Sequence, residues 1–145
     1  MGTVRVCKGV GMVGLFSGGG GEGSGVVMKI ISWNVRGLGR AEKRKEVKNL
    51  VGEKGPSILC LQETKLEVCD EALCASLWGG TPHFFSYRPS VGASGGLLIL
   101  WDASLVEVWS TESIEHAIII HGQFVQSNDE FYLVNVYAPC DNGAK

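Results

Sequence analysis

Between Met28 and Gln62 the chain changes hydrophobic rhythm twice. VVMKIISW is a short, β-branched apolar run of strand character. AEKRKEVKNLVGEKG then puts Ala41, Val47, Leu50 and Val51 on one face with charges elsewhere, which predicts an amphipathic helix stopped by Gly55-Pro56. SILCLQ returns to a continuous apolar run. A strand–helix–strand unit of this kind predicts two parallel strands. DEALCASLWGG reads as a short second helix, with acids in its first turn and a glycine stop. Beyond it, GGLLILWD, SLVEVWS, HAIIIHGQFV and EFYLVNVYAP follow one another too closely for helical crossovers, so they should run antiparallel. One such unit followed by a meander predicts an α/β fold of the α+β kind, a mixed and mostly antiparallel sheet with helices on one face. The other face must also be covered, because LLILW and AIIIH do not alternate with polar residues.

Before Val26 the composition is different. Ten of the 21 glycines lie there, including the tract FSGGGGEGSG. Such a segment loses much backbone entropy on folding and has little to bury, so residues 1–26 are expected to form a flexible leader and 27–145 the folded domain. GxGxxG occurs twice in the leader, but no amphipathic helix follows either copy, which removes dinucleotide binding. No run reaches the ~18 apolar residues of a membrane span. The five cysteines are odd in number and show no CxxC, which points to a reducing, intracellular compartment, the nucleus among the candidates.

Charge is uneven. Net charge is −2, yet six of the 13 basic residues (Arg36, Arg40, Lys43, Arg44, Lys45, Lys48) fall within Arg36–Lys48. After Arg88 no Lys or Arg occurs until Lys145, while seven acids do. The basic cluster is either a solvated helix face or a surface for phosphate.

Three polar groups end strands that otherwise suit a core: Asn34 after KIISW, Glu63 after SILCLQ, and Tyr137 at the end of FYLVNVY. Beside crossover helices, ligands bind past the carboxyl ends of strands, so Asn34 and Glu63 should share a rim. A carboxylate there suits Mg²⁺, which takes one or two protein carboxylates and keeps its waters. Taken singly, each residue has a plainer reading: a solvated Glu, a turn Asn, a core Tyr.

In order along the chain, ISWNVRGLG, ILCLQETK, SGGLLILW and LVNVYAP resemble the motifs of the endonuclease/exonuclease/phosphatase superfamily, the fold of exonuclease III-like and DNase I-like enzymes. The wording WNVRGLG and SGGLLILWD is most similar to the endonuclease domain of plant non-LTR retrotransposons. The resemblance implies half of a four-layer αββα sandwich. It implies that Glu63 holds a divalent metal, Mg²⁺ with Mn²⁺ as substitute, that Asn34 lies at the metal and phosphate, and that Tyr137 orients the scissile phosphate. DNA is the implied partner, with Arg36, Arg40 and Lys65 as the cations that would meet it. Competing readings are a phosphoesterase of the same fold with a non-nucleic substrate, and a non-catalytic relic or partner-binding chain.

Departures are as informative. No GDxN motif occurs, and none of His83, His116 and His121 follows an Asp, so no histidine takes a catalytic role. Arg36 stands where several relatives carry an acid or amide, and Cys140 where many carry Asn. Without a general base and an Asp-His pair, catalysis should fall by orders of magnitude. A half-built sandwich should also expose an apolar sheet face, which invites self-association.

Overall fold

The computed structural model describes the strands at 3–8 and 12–17 and residues 28–137. In chain order the elements are β1 (Thr3–Lys8), β2 (Met12–Ser17), β3 (Lys29–Asn34), α1 (Ala41–Lys54), β4 (Ile58–Gln62) and α2 (Glu71–Trp78). They continue with β5 (His83–Arg88), β6 (Leu97–Asp102), β7 (Val106–Ile114), β8 (Ala117–Phe124) and β9 (Asp129–Val136). A five-stranded sheet runs β1-β3-β4-β6-β5 and a four-stranded sheet runs β2-β9-β8-β7. Only β1–β3 and β3–β4 pair parallel; every other pairing is antiparallel.

The strand–helix–strand unit forms as the pattern predicts. α1 ends where Gly55 takes a left-handed φ of 57° and donates to Val51 O. α2 starts on Asp70, whose carboxylate accepts from Leu73 N at 2.9 Å.

The strands of the first sheet alternate between two cores. Ile31, Trp33, Leu59, Leu61, Leu98 and Leu100 pack under α1 and α2. Their neighbours Ile30, Ile58, Cys60, Leu97, Ile99 and Trp101 face the second sheet, against Val106, Ile118, Ile120, Phe124, Phe131 and Leu133. LLILW fails to alternate with polar residues because both of its faces are interior.

Three expectations change. The meander does not extend one sheet: β6 stays antiparallel to β4, and the turn at Ala103–Leu105 carries the chain across to start a second sheet. The apolar face expected to stand open is thereby covered, and among the described residues no helix packs on the outer side of β7–β9. In the leader, TVRVCK and MVGLFS are strands, β1 beside β3 and β2 beside β9, because each has enough β-forming residues to complete an open sheet edge. The rest of the leader, with its glycine tract, lies outside the described residues, as does Cys140. Among the described residues no helix is long and apolar enough to cross a membrane.

One buried polar cluster joins the two sheets. Gln62 Nε2 donates to Asn135 Oδ1 at 2.8 Å and to Ser32 Oγ at 3.0 Å. Asn135 Nδ2 reaches back to Leu61 O and Leu98 O, each at 3.2 Å. An asparagine is too short to cross the ~10 Å that normally separates stacked sheets, so the sandwich closes in at this end. Asn135→Leu would strand the Gln62 amide in the interior and cost about 1–3 kcal/mol. Adding Gln62→Leu should recover part of that loss, a non-additivity that urea denaturation of both single variants and the double variant reads out.

Burial pushes the thiols of Cys60, Cys69 and Cys74 upward. Cys69 rises to about 11, through burial first and Asp70 second. Cys74 rises to about 12, through burial first, then Cys69, Glu71 and Asp70. Their folded values exceed the ordinary 9.0, so this contribution to stability is full below pH 9 and lost as pH rises toward 11 to 12. Iodoacetamide with peptide mass spectrometry should label these three only after unfolding, and urea midpoints should fall as pH climbs above 9.

Candidate functional site

Asn34 and Gln62 are register partners at the carboxyl ends of β3 and β4, so Glu63 begins the loop just beyond them. Asn34 Nδ2 donates to Glu63 Oε2 at 3.2 Å, and Asn34 Oδ1 accepts from Arg36 N at 3.1 Å. The side chain is nearly buried, and both ends of its amide are occupied. Asn34 was expected at the metal as well as the phosphate. Its Nδ2 is held on the Glu63 carboxylate, and its Oδ1, with one hydrogen bond from the turn, keeps a second lone pair.

The loops around this pair are stitched backbone to backbone. Val35 N donates to Gln62 O, Gly37 N to Glu63 O at 2.7 Å, and Leu38 N to Thr64 O at 2.9 Å. On the other side, Thr64 N donates to Gly96 O and Lys65 N to Gly95 O at 2.8 Å. Arg36, Glu63 and Lys65 hold φ values of 54°, 58° and 58°, left-handed conformations that cost a non-glycine residue about 1 kcal/mol or more each. The stitching of backbone hydrogen bonds maintains them.

SGGLLILW supplies the third wall. A Cβ on Gly96 would overlap Thr64 Oγ1, and Gly96 also has a φ of 96°. Glycine there lets the 63–66 loop lie flat on the start of β6. Gly95 faces the Tyr137 ring, and Tyr137 N donates to His116 O at 2.8 Å. Tyr137 therefore comes from the second sheet, on the far side of the 94–96 loop from Glu63.

The basic residues divide between two roles. Arg36, Arg40, Lys43 and Lys65 line one cleft of about 550 Å³ with no acid among its walls. This brings together Arg36, Arg40 and Lys65 with Lys43 of the basic cluster. Arg44 is used structurally, donating to Leu38 O and Gly39 O. Arg88 and His116 line a smaller cleft of about 140 Å³ beside Tyr137.

Residues 31–143 match the profile of the Endonuclease/Exonuclease/phosphatase family. The chain belongs to that family. It is also 33% identical over 125 residues to the DNA repair nuclease APEX1 of Danio rerio, an alignment that covers 81% of this chain and 38% of that protein. The crystal structure of the AP endonuclease LMAP from Leishmania major superposes with a TM-score of 0.50 at 23% identity, over 65% of this chain and 35% of that one. The latter likeness is one of fold. This chain thus spans about two fifths of the length of the curated relative it matches.

Several residues around this candidate site were not singled out in the sequence: Gln62, Thr64, Gly96 and Asn135. Asn135 gave a signal, an amide at an inward position between Leu133 and Tyr137 in an apolar strand. Gly96→Ala should cost about 2–4 kcal/mol from the overlap and the positive φ together. Gly95→Ala meets only the Tyr137 ring, at 3.8 Å, and should cost less; thermal melts of the two variants order them.

Proposed function

We propose that this chain carries the metal- and phosphate-holding half of an endonuclease site that acts on DNA, of the retrotransposon type. What carries the reading is the hydrogen-bonded pair Asn34–Glu63, close in sequence to Val35, Arg36 and Lys65 of a cleft whose charged walls are all cations. The retrotransposon type rests on the wording of WNVRGLG and SGGLLILWD.

The donor set suits one kind of ion. Among the described residues no three His, Cys, Asp or Glu side chains gather, so an ion beside Glu63 would have few protein ligands. Mg²⁺ accepts that arrangement, keeping waters and taking substrate oxygens, and Mn²⁺ can follow it; a structural Zn²⁺ would need four protein ligands. When bound, the ion supplies charge stabilisation at the phosphoryl oxygens.

The residues divide the remaining work. Glu63 holds the ion, and Asn34 fixes the carboxylate through Nδ2. Tyr137 orients the scissile phosphate from the opposite sheet. Arg36, Arg40, Lys43 and Lys65 neutralise backbone phosphates, a term that weakens with salt. Nothing in the 145 residues supplies the GDxN or Asp-His groups, so water has no base to deprotonate it. By themselves, these 145 residues are read here as a binder of metal and DNA that lacks the remaining groups of the reaction.

Three measurements on the purified chain test this. Mn²⁺ binding, read by water-proton relaxation, should disappear in Glu63→Gln. DNA binding should fall steeply with salt, and Lys65→Gln should lower the slope by about one. Supercoiled plasmid with Mg²⁺ should stay uncut. Mg²⁺-dependent nicking by the monomer, abolished in Glu63→Gln, would overturn the inactivity, and salt-independent binding would favour a small phosphate ester over DNA.

A further inference from the structure

At one side of the sandwich two end strands meet, β5 of the first sheet and β7 of the second. Polar clasps tie them together. Ser86 Oγ lies 2.7 Å from Thr111 Oγ1, and Arg88 Nη1 donates to Ser113 Oγ at 2.8 Å. Continuing the same two-residue step brings Phe84 opposite Trp109, where two rings replace the polar groups. Phe84 leans on Trp101, its register partner on β6, with ring centroids 6.5 Å apart. Trp109 instead meets His121 edge-on at 5.1 Å. The two rings, 62% and 49% exposed, come from opposite sheets to line a cleft of about 650 Å³. Register puts this cleft at the Ile58 end of β4, the end opposite Glu63.

Local structure sets Trp109 at the mouth. The register of β7 on β8 shifts between Val108 and Ser110, which makes Trp109 the extra residue of a bulge, a device that re-aims a side chain. Gly122 permits the bulge, because a Cβ there would run into Glu107 O and Val108 Cα. Behind the mouth, buried Trp101 with Val106 and Val108 makes an apolar floor. The volume falls within the ~300–1,000 Å³ of small-molecule sites. Among the described residues Glu107 is the one charged group in the walls. Its carboxylate accepts from Gln123 Nε2 at 2.7 Å, a bond that orients it without neutralising it. From Pro89 to Ala144 the sequence holds no Lys or Arg to pair with it.

We propose that this cleft binds an arylalkylammonium, a flat aromatic ring that carries a positively charged amine. The ring would enter between Phe84 and Trp109 and rest on Trp101, where contacts between aromatic rings favour it over an aliphatic chain of similar size. The ammonium would meet the Glu107 carboxylate and the face of the Trp109 indole. An aromatic anion, a nucleotide included, would set its charge against Glu107 with no cation in the walls to offset it. The proposal is independent of the phosphodiester reading.

The test titrates the isotope-labelled full chain with three probes that share one ring system: naphthylmethylamine, methylnaphthalene and naphthoate. In heteronuclear NMR spectra the amine should move the indole N–H signals of Trp101 and Trp109. Those of Trp33 and Trp78, packed under the helices, should stay in place. The amine should bind about threefold or more tighter than methylnaphthalene and about tenfold or more tighter than naphthoate. Glu107→Gln should bring the amine down to the affinity of methylnaphthalene. Phe84→Ala and Trp109→Ala should each weaken it about fivefold or more, with Trp101 as the reporter. Glu112→Gln removes the same charge from β7 outside the cleft and should leave binding unchanged. Circular dichroism identifies any variant that fails to fold, and the other variants then decide. Absent indole shifts, shifts shared by Trp33 and Trp78, or equal binding of either other probe overturns the proposal. Unchanged binding in Glu107→Gln, or in both Phe84→Ala and Trp109→Ala, overturns it too.

Discussion

The hydrogen bond from Gln62 Nε2 to Asn135 Oδ1, 2.8 Å long and fully inside the protein, is the constraint on which the arrangement of this molecule turns. Gln62 is one residue before Glu63, and Asn135 is two before Tyr137. The residues that resemblance assigns to metal and to phosphate come from different sheets, and apolar packing between those sheets is not directional. A directed bond between amides cannot slide, because displacement leaves two buried polar groups unpaired. The two further bonds from Asn135 to the carbonyls of Leu61 and Leu98 fix its height above the first sheet. Register within each sheet then carries that fixed point outward, from Gln62 across to Asn34 on β3 and along β9 to Tyr137.

The strained rim follows from the same closure. Where the strands end, ladder-like hydrogen bonds continue from loop to loop, through Val35, Gly37 and Leu38 on one side and Thr64 and Lys65 on the other. Each bond is modest. Together they hold Arg36, Glu63 and Lys65 in left-handed conformations that an isolated loop would leave. Gly96 makes the close approach possible and Thr64, fully buried, fills the space beneath it. Rigidity at the rim thus comes from a packed floor, and the charged side chains above it are the part free to meet a ligand.

Much of this was legible in the sequence, for identifiable reasons. α1 and α2 carry their own stop and start signals, Gly55 and Asp70, and the apolar period needs no tertiary context. The strands of the meander were visible as runs, but their division between two sheets was not. A strand buried on both faces reads the same whether the second face meets a helix or another sheet. β5 was missed because HFFSYR is a half-buried edge strand set between Pro82 and Pro89, where neither alternation nor a continuous apolar run marks it. β1 and β2 were hidden by the glycines around them. Asn34, Glu63 and Tyr137 were singled out because each ends a core strand and motif order then named them. Asn135 and Thr64 were passed over because their work is done by partners far away in sequence.

Charge completes the design as a polarity of the whole molecule. Cations gather at the carboxyl ends of β3 and β4 and along α1, on the first sheet's side. From Pro89 onward the sequence offers only acids up to Lys145. A near-neutral total hides this, since −2 is the sum of two opposed halves. A polyanion approaching such a molecule is drawn to the cleft of Arg36, Arg40, Lys43 and Lys65 and turned away from the outer face of β7–β9. Under the proposed reading the separation matters because the Glu63 carboxylate would have to keep its charge for a metal amid those cations. Asn34 donates a hydrogen bond to it without adding a positive charge. An ammonium in that place would compete with the ion; an amide orients the carboxylate and leaves it free to bind.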